Sequence, residues 1–109
     1  MKAFAIFANL AILMIPFIAR GADASKGQAI FQEQCSICHK TGTNALGPDL
    51  KGIYSSKAGA VSGYNFSPAM KQAGTKGIVW NDENLDKFLE NPQGLIPGTT
   101  MAYLGLSNK

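Results

Sequence analysis

The sequence predicts a single all-α domain in which short helices are joined by long irregular connections. Three observations support this fold class. The chain has only 109 residues, helix-start signals precede short apolar periodic segments, and Gly, Pro, Asn and Thr are concentrated between those segments. No strand-rich alternation and no internal repeat is visible. Apolar residues make up 46% of the chain and charged residues 16%, a balance that excludes a disordered segment.

The first 24 residues are predicted to be a signal peptide. Met1-Lys2 is a short positive start, residues 3–19 are apolar apart from Asn9, and Ala22-Asp23-Ala24 has the small-x-small pattern of a cleavage site. The alternative is an uncleaved membrane anchor, because an apolar stretch of this length lies at the lower limit of what spans a bilayer. Cleavage after Ala24 leaves a domain of residues 25–109.

The first helix of that domain is predicted to begin at Ser25 and to run to about Cys35. Ser25 and Gln28 have the spacing of a capping box, in which each side chain satisfies a backbone N–H at the helix start. Ile30, Phe31 and Cys35 then lie within one broad face. The stretch 40–48, rich in Gly, Thr, Asn and Pro, is predicted to be irregular.

Two further short helices are predicted in the second half of the chain. Ser67 supplies an N-cap and Pro68 the first helical residue, and Gly74 can end this helix in the left-handed conformation. The next helix begins at Asn81, with acidic residues in its first turn facing the positive end of the helix dipole. Asn91-Pro92 closes it. Its apolar residues recur at helical spacing at Leu85, Phe88 and Leu89.

Charge argues against a nucleic-acid partner. Ten Lys and Arg residues against seven Asp and Glu give a net charge of +3. No run of four or more basic residues occurs, whereas a nucleic-acid surface needs clustered positive charge. A domain of this size also has too few apolar helices to fold well on its own core. An additional stabilising group, such as a bound cofactor, is therefore expected.

The segment Cys35-Ser36-Ile37-Cys38-His39 has the spacing that attaches haem as a c-type cofactor. Two thiols on one helical turn can each add to a vinyl group of one porphyrin edge, while the next residue presents its imidazole to the iron. A thioredoxin-like redox pair would need a βαβ context, a closed zinc site would need a carboxylate as fourth ligand, and a disulfide would close a tiny loop. The spacing therefore favours one haem c, bound covalently through Cys35 and Cys38, with His39 on the iron.

Met101 is the candidate for the sixth ligand of that iron. His39 is the only histidine, and the predicted signal peptide holds two of the four methionines, which leaves Met70 and Met101. Met70 lies on a predicted short helix, where a methionine more often fills the core. Met101 follows an irregular stretch that can reach the opposite side of the ring; its alternative role is that of an apolar loop anchor. A thioether opposite an imidazole favours ferrous iron and electron transfer.

Residues 25–109 resemble the class I cytochromes c, in particular the small soluble type related to mitochondrial cytochrome c. The matching features, in chain order, are Gly27, Phe31, the Cys35–His39 motif, Gly47-Pro48-Asp49-Leu50, Trp80, the segment 85–90, Asn91-Pro92 and the segment 96–101. The resemblance implies a cytochrome c fold around a covalent haem. It also implies His39 and Met101 as the axial ligands and metal-binding residues, and Cys35 and Cys38 as the thioether anchors.

The same resemblance implies roles for two further residues. The Pro48 carbonyl is expected to accept a hydrogen bond from the ligand imidazole, which would fix its tautomer. Trp80 is expected to donate its indole N–H to a haem propionate, with core packing as its alternative role.

The chain departs from the family pattern in several places. Ser55-Ser56-Lys57 stands where relatives usually carry a Gly-Arg-Lys-type stretch, and Phe66 and Phe88 stand where tyrosine is common. Only residues 102–109 follow the ligand segment, too few for the usual C-terminal helix, so that helix is missing and the sequence is expected to be C-terminally incomplete. Lysines that surround the haem edge in mitochondrial relatives are replaced at Gln34, Gln93, Gly94 and Thr100. Strong electrostatic steering toward an acidic partner is therefore not expected.

The function implied by the resemblance is that of a non-enzymatic electron carrier. It would cycle between Fe(II) and Fe(III) and dock briefly, as a monomer and with no small-molecule substrate, with membrane-bound or soluble redox complexes that act as donor and acceptor. Export would place it in a bacterial periplasm. The alternatives are a peroxidase-like haem enzyme, if Met101 ligation is labile, and a membrane-anchored electron-transfer cytochrome, if residues 3–19 are retained.

Overall fold

The computed structural model describes residues 22–107, together with residues 3, 5, 8–9 and 11–14. Most of the predicted signal peptide, including the rest of residues 1–21, lies outside the described residues, as do residues 108–109. Within the part that is described, no helix has the length and the apolar character needed to cross a membrane.

Short helices and long connections make up the domain. The helices are α1 (Ala24–Ile30), which continues as a π-helical turn (Phe31–Cys35), α2 (Pro68–Thr75), α3 (Asp82–Glu90) and α4 (Pro92–Leu95). Residues 22–107 contain no strand, only the isolated bridges Lys40–Thr43 and Lys57–Val79. The predicted all-α class is confirmed, and the stretch 40–48 is irregular apart from the first of these bridges.

The first helix begins one residue earlier than predicted, at Ala24. Its N-cap is Asp23, whose carboxylate accepts the backbone N–H groups of Ser25 at 2.9 Å and Lys26 at 3.3 Å. Ser25 is therefore inside the helix, because an aspartate two residues upstream caps it with a full negative charge at the positive end of the dipole. The predicted end at Cys35 is confirmed. The last five residues are wider than an α-helix, since Ser36 N–H bonds the Phe31 carbonyl at 2.9 Å.

Helix α2 starts as predicted and ends differently. The Ser67 hydroxyl accepts the Met70 N–H at 3.1 Å, and Pro68 is the first helical residue. Gly74 does not end the helix. It lies inside it, where an added Cβ would be 2.0 Å from the Ala58 carbonyl oxygen, so glycine is needed for this close approach. The left-handed residue is Gly77, with φ of 99°, the position where helices most often end this way.

A single residue separates α3 from α4. Asn81 caps α3 by accepting the Asn84 N–H at 2.9 Å. The predicted apolar face is confirmed, with Phe88 buried and its leucine neighbours half-buried. Asn91 ends α3 and also caps α4, whose Gly94 N–H it accepts at 3.1 Å. Helix α4 was not predicted, because it is only four residues long.

The core lies in the second half of the chain. Trp80 is 5% exposed and packs against Phe88, with ring centroids 4.9 Å apart. Met70 is buried in the same cluster, in keeping with the gap-filling role expected of it. The first helix and its π-helical turn contribute no buried residue. The complete cluster is Ala58, Met70, Ala73, Trp80, Phe88 and Ile96.

Candidate haem site

Cys35, Cys38 and His39 are brought together on one tight turn. Cys35 is the last residue of the π-helical turn, and its carbonyl accepts the N–H groups of Cys38 at 3.1 Å and His39 at 2.9 Å. Both cysteines are half-buried free thiols. Burial, followed by the proximity of Cys38, raises the pKa of the Cys35 thiol. No disulfide joins the two cysteines in the structure.

The His39 imidazole is buried and held in one orientation. The residue is 8% exposed, and its Nδ1 lies 2.9 Å from the Pro48 carbonyl oxygen. Because a carbonyl can only accept, Nδ1 carries the hydrogen and donates it. In the neutral tautomer with this hydrogen on Nδ1, the lone pair is on Nε2, and that form of the ring binds a metal. The geometry between His39 and Pro48 is the one implied by the resemblance.

Gly47 provides the space that the His39 ring occupies. A Cβ added at Gly47 would lie 2.5 Å from His39 Cε1 and 2.8 Å from its Nδ1. The Gly47 N–H also donates to the Cys38 carbonyl at 2.8 Å, which ties the loop to the cysteine turn. Glycine is therefore required here by close approach to a side chain.

Residues 42–49, here called the His39 loop, are fixed by two polar side chains. The Asn44 Oδ1 accepts the Asp49 N–H at 2.8 Å, and the Asn44 amide donates to the Ser62 carbonyl at 3.0 Å. Asp49 Oδ1 accepts the N–H groups of Lys51 and Gly42, each at 2.9 Å. These bonds lower the pKa of the Asp49 carboxyl, the bond from Lys51 having the larger effect. Asn44 was missed by the sequence analysis, although an asparagine in a turn-rich loop is a usual source of such bonds.

Residues 96–106, here called the Met101 segment, lie against the core and the first helix. Met101 is half-buried and packs on the core cluster. Two residues later, the Tyr103 hydroxyl forms a hydrogen bond with Gln34, and burial together with the nearby Cys35 thiol raises the pKa of Tyr103. The segment therefore passes beside the cysteine turn. Further along, Leu106 N–H donates to the Leu89 carbonyl at 2.8 Å.

Trp80 has the packing role that was its alternative. Its ring is buried in the core, and its backbone N–H donates to the Ser56 carbonyl at 2.8 Å while its carbonyl accepts from Ser55 at 2.9 Å. This pairing brings the Ser55-Ser56-Lys57 stretch to the edge of the core. Donation from the indole to a propionate stays a prediction.

The donor groups fit a covalently held haem better than the competing sites. The chain presents two reduced thiols on one turn, an imidazole with its lone pair available, and a thioether on a neighbouring segment. Over the described residues, no group of three or more His, Cys, Asp or Glu side chains is arranged to hold a metal ion, so a zinc site built on the cysteines is not formed. The βαβ context of a thioredoxin-like pair is likewise absent from residues 22–107.

Known proteins share both the sequence and the fold. Residues 22–101 match the family described as "Cytochrome C oxidase, cbb3-type, subunit III". Cytochrome c of Gibberella zeae is 47% identical over 89 residues, covering 79% of this chain and 81% of the relative. Cytochrome c2 of Rhodomicrobium vannielii is 44% identical, covering 79% and 68%. The structure of cytochrome cH from Methylobacterium extorquens superposes with a TM-score of 0.73 at 38% identity, covering 80% of this chain and 86% of that one.

Proposed function

The chain belongs to the cytochrome c family, and from this premise we propose how its residues carry electrons. The protein is an electron carrier with one covalently bound haem c. Cys35 and Cys38 are its thioether anchors, and His39 and Met101 are its axial ligands. The observation that supports this assignment best is the buried His39 ring. Its Nδ1–H donates to the Pro48 carbonyl, which leaves Nε2 as the nitrogen available to bind iron.

A bound haem c supplies an iron that changes between Fe(II) and Fe(III). The chain's own residues keep the surroundings of that iron constant during the change. Pro48 holds the His39 tautomer, and Gly47, which lacks a Cβ, leaves the space that the ring occupies. The Met101 thioether favours the ferrous state. The apolar packing of Trp80 and Phe88 lowers the local polarity, which also disfavours the extra positive charge of the oxidised state.

The partners of the carrier are donor and acceptor redox complexes, which it contacts briefly through a small interface. The charged side chains are few and of mixed sign, giving a net charge of +3 over the whole chain, so steering by charge is weak. It acts as a monomer and transforms no substrate of its own. Residues 1–24 direct export, and electron transfer takes place in a bacterial periplasm.

Intact mass together with absorbance tests the haem and its location. The chain is produced in a host competent for cytochrome c maturation. The expected product begins near Ser25, carries the mass of one haem, shows a weak near-infrared thioether band when oxidised, and does not change its reduced spectrum on addition of carbon monoxide. A colourless product of bare polypeptide mass contradicts the function. Ready binding of carbon monoxide favours the peroxidase-like alternative, and retention of residues 1–24 favours the anchored form.

A matched pair of methionine variants tests the sixth ligand. Met101→Leu is expected to keep the haem and lose the thioether band. Met70→Leu changes a buried core methionine at similar volume and is expected to keep the band with a modest loss of stability. The reverse result would make Met70 the ligand.

A further inference from the structure

Two glutamines hold the Met101 segment from its two ends. Gln93 in α4 binds the backbone that precedes Met101, and Gln34 in the π-helical turn binds Tyr103, which follows it. Both side chains lie outside the ligand set assigned above, and both glutamines stand where the resemblance led us to expect lysine. Their bonds give these replacements a structural role.

The Gln93 carboxamide uses both of its functions on the same turn. Its Oε1 accepts the Gly98 N–H at 3.1 Å, and its Nε2 donates to the Thr99 carbonyl at 2.7 Å. A lysine could not accept the first bond, and a glutamate could not donate the second. The turn is closed a third time by Thr99 N–H, which donates to the Ile96 carbonyl at 3.0 Å. The backbone immediately before Met101 is therefore fixed by a group that no charged side chain replaces.

The Gln34 bond closes the other end over a long distance in sequence. Tyr103 and Gln34 are 69 residues apart, and the phenol donates to the Gln34 Oε1. This bond joins the Met101 segment to the turn that ends in Cys35. Thr99 is buried on one side of Met101 and Tyr103 is half-buried on the other, so the methionine lies between two anchored points.

We propose that Gln93 and Gln34 are positioning residues that hold the Met101 segment closed and so protect the Met101 thioether from displacement by external ligands. The inference rests on the proposed function, in which that thioether is an axial ligand. Opening of a segment is an equilibrium of its own, distinct from global unfolding. Each bond that exists only in the closed segment shifts this equilibrium by the free energy of that bond.

Displacement of the thioether by imidazole measures the opening. The near-infrared band of the oxidised holoprotein is followed during titration with imidazole. For Gln93→Leu, the imidazole concentration at half-displacement is expected to fall about tenfold, because two bonds are lost. For Gln34→Leu and for Tyr103→Phe it is expected to fall about threefold each. In the double variant Gln34→Leu/Tyr103→Phe the imidazole concentration at half-displacement should be no lower than in either single variant, because the two residues share one bond.

The control is Gln72→Leu, the same substitution at an exposed glutamine in α2, which should titrate as the wild type does. Half-displacement of Gln93→Leu at the same imidazole concentration as Gln72→Leu overturns the inference. If Gln93→Leu yields no holoprotein, Gln93→Glu keeps the side-chain length and the acceptor for the Gly98 N–H, but it sets a carboxylate oxygen against the Thr99 carbonyl oxygen. The imidazole concentration at half-displacement should then fall at least about threefold. A wild type without a thioether band overturns the proposed ligation and the inference with it. A wild type with the band, but with unresponsive glutamine variants, overturns the inference alone.

Discussion

The His39 loop and the Met101 segment hold the two proposed iron ligands in place by different means. The His39 loop is closed mainly by bonds within its own few residues through Asn44 and Asp49, with Gly47 against the ring and one further bond from Asn44 to Ser62. The Met101 segment has local bonds to Gln93 as well, but it is tied to the cysteine turn by Gln34, 69 residues away from Tyr103 in the chain. A bond between residues so far apart in sequence is lost whenever the segment detaches, without unfolding of the rest of the domain. We therefore expect the Met101 segment to open before the His39 loop.

The largest effect is expected from Gly47→Ala, which disturbs the packing of the His39 loop against the His39 ring. The new methyl would lie 2.5 Å from His39 Cε1, so the ring or the loop has to move. We expect a free energy of unfolding lower by about 1–3 kcal/mol and a poor yield of holoprotein, measured by guanidinium unfolding and haem content. Gly27→Ala is the control, since its added Cβ meets nothing within 4 Å and alanine favours a helix by about 0.5–1 kcal/mol. Equal stabilities of the two variants would contradict the tight fit of the ring.

Gly105→Ala should detach the Met101 segment with a smaller loss of global stability. Its Cβ would lie 1.9 Å from the Glu90 carbonyl oxygen, at a φ of 118°, so the Met101 segment has to detach there. Because the segment can open alone, we expect the thioether band to weaken while the free energy of unfolding falls by about 1 kcal/mol. Gly77→Ala has similar strain at φ 99° but open space around the Cβ, and should leave the band intact. An unchanged band in Gly105→Ala would show that the segment holds without this contact.

Acid should weaken the His39 loop in a way that depends on Asp49. The backbone bonds from Lys51 and Gly42 lower the pKa of this carboxyl in the folded state. The bonds therefore stabilise the fold above the ordinary aspartate pKa of about 3.9, and that stabilisation is lost as the pH falls through the lower folded value. Melting temperatures of the wild type and Asp49→Asn should differ at pH 6 and converge below about pH 4. Glu33→Gln removes an exposed carboxylate outside the loop and serves as control. A constant difference across this range would contradict the role of the Asp49 charge.

The smallest effect, a stabilising one, is expected from Ser55→Gly. Ser55 has a φ of 69° and is the one non-glycine residue with positive φ in the part of the chain that is described. Relief of that strain should raise the free energy of unfolding by up to about 1 kcal/mol, measured by guanidinium unfolding. The His39 loop and the Met101 segment should be unaffected. Ser56→Gly, by contrast, removes the hydroxyl bond to the Ile53 carbonyl and should lower stability. A gain in both variants would mean that the strain at Ser55 is not the cause.

The features that could be predicted from the sequence are those whose cause is local. Ser67 and Asn81 cap helices through bonds to residues three positions on, so their signals lie within a few letters of the chain. The turn from Cys35 to His39 is equally local, and its two cysteines and histidine are close together as expected. The family resemblance added the hydrogen bond between His39 and Pro48, which spacing alone does not reveal.

The features that were missed depend on a second part of the chain. A glycine is needed at position 74 because the Ala58 carbonyl approaches it closely, and nothing near Gly74 in sequence indicates this contact. The Gln34 bond depends on Tyr103 in the same way. Asp23 was overlooked as a cap because it falls within the predicted cleavage site. In the structure Asp23 caps the first helix, whereas cleavage after Ala24 would remove it.

Asn91 has a consequence for how chains of this kind can differ in length. One residue ends α3 and starts α4, Pro92 beside it is fully buried, and Ile96 is 2% exposed. An inserted residue between Asn91 and Ile96 would disturb the bonds of Gln93 to its turn or the packing of Ile96 in the core. Natural insertions and deletions among homologous chains should therefore avoid the path from α3 to Met101.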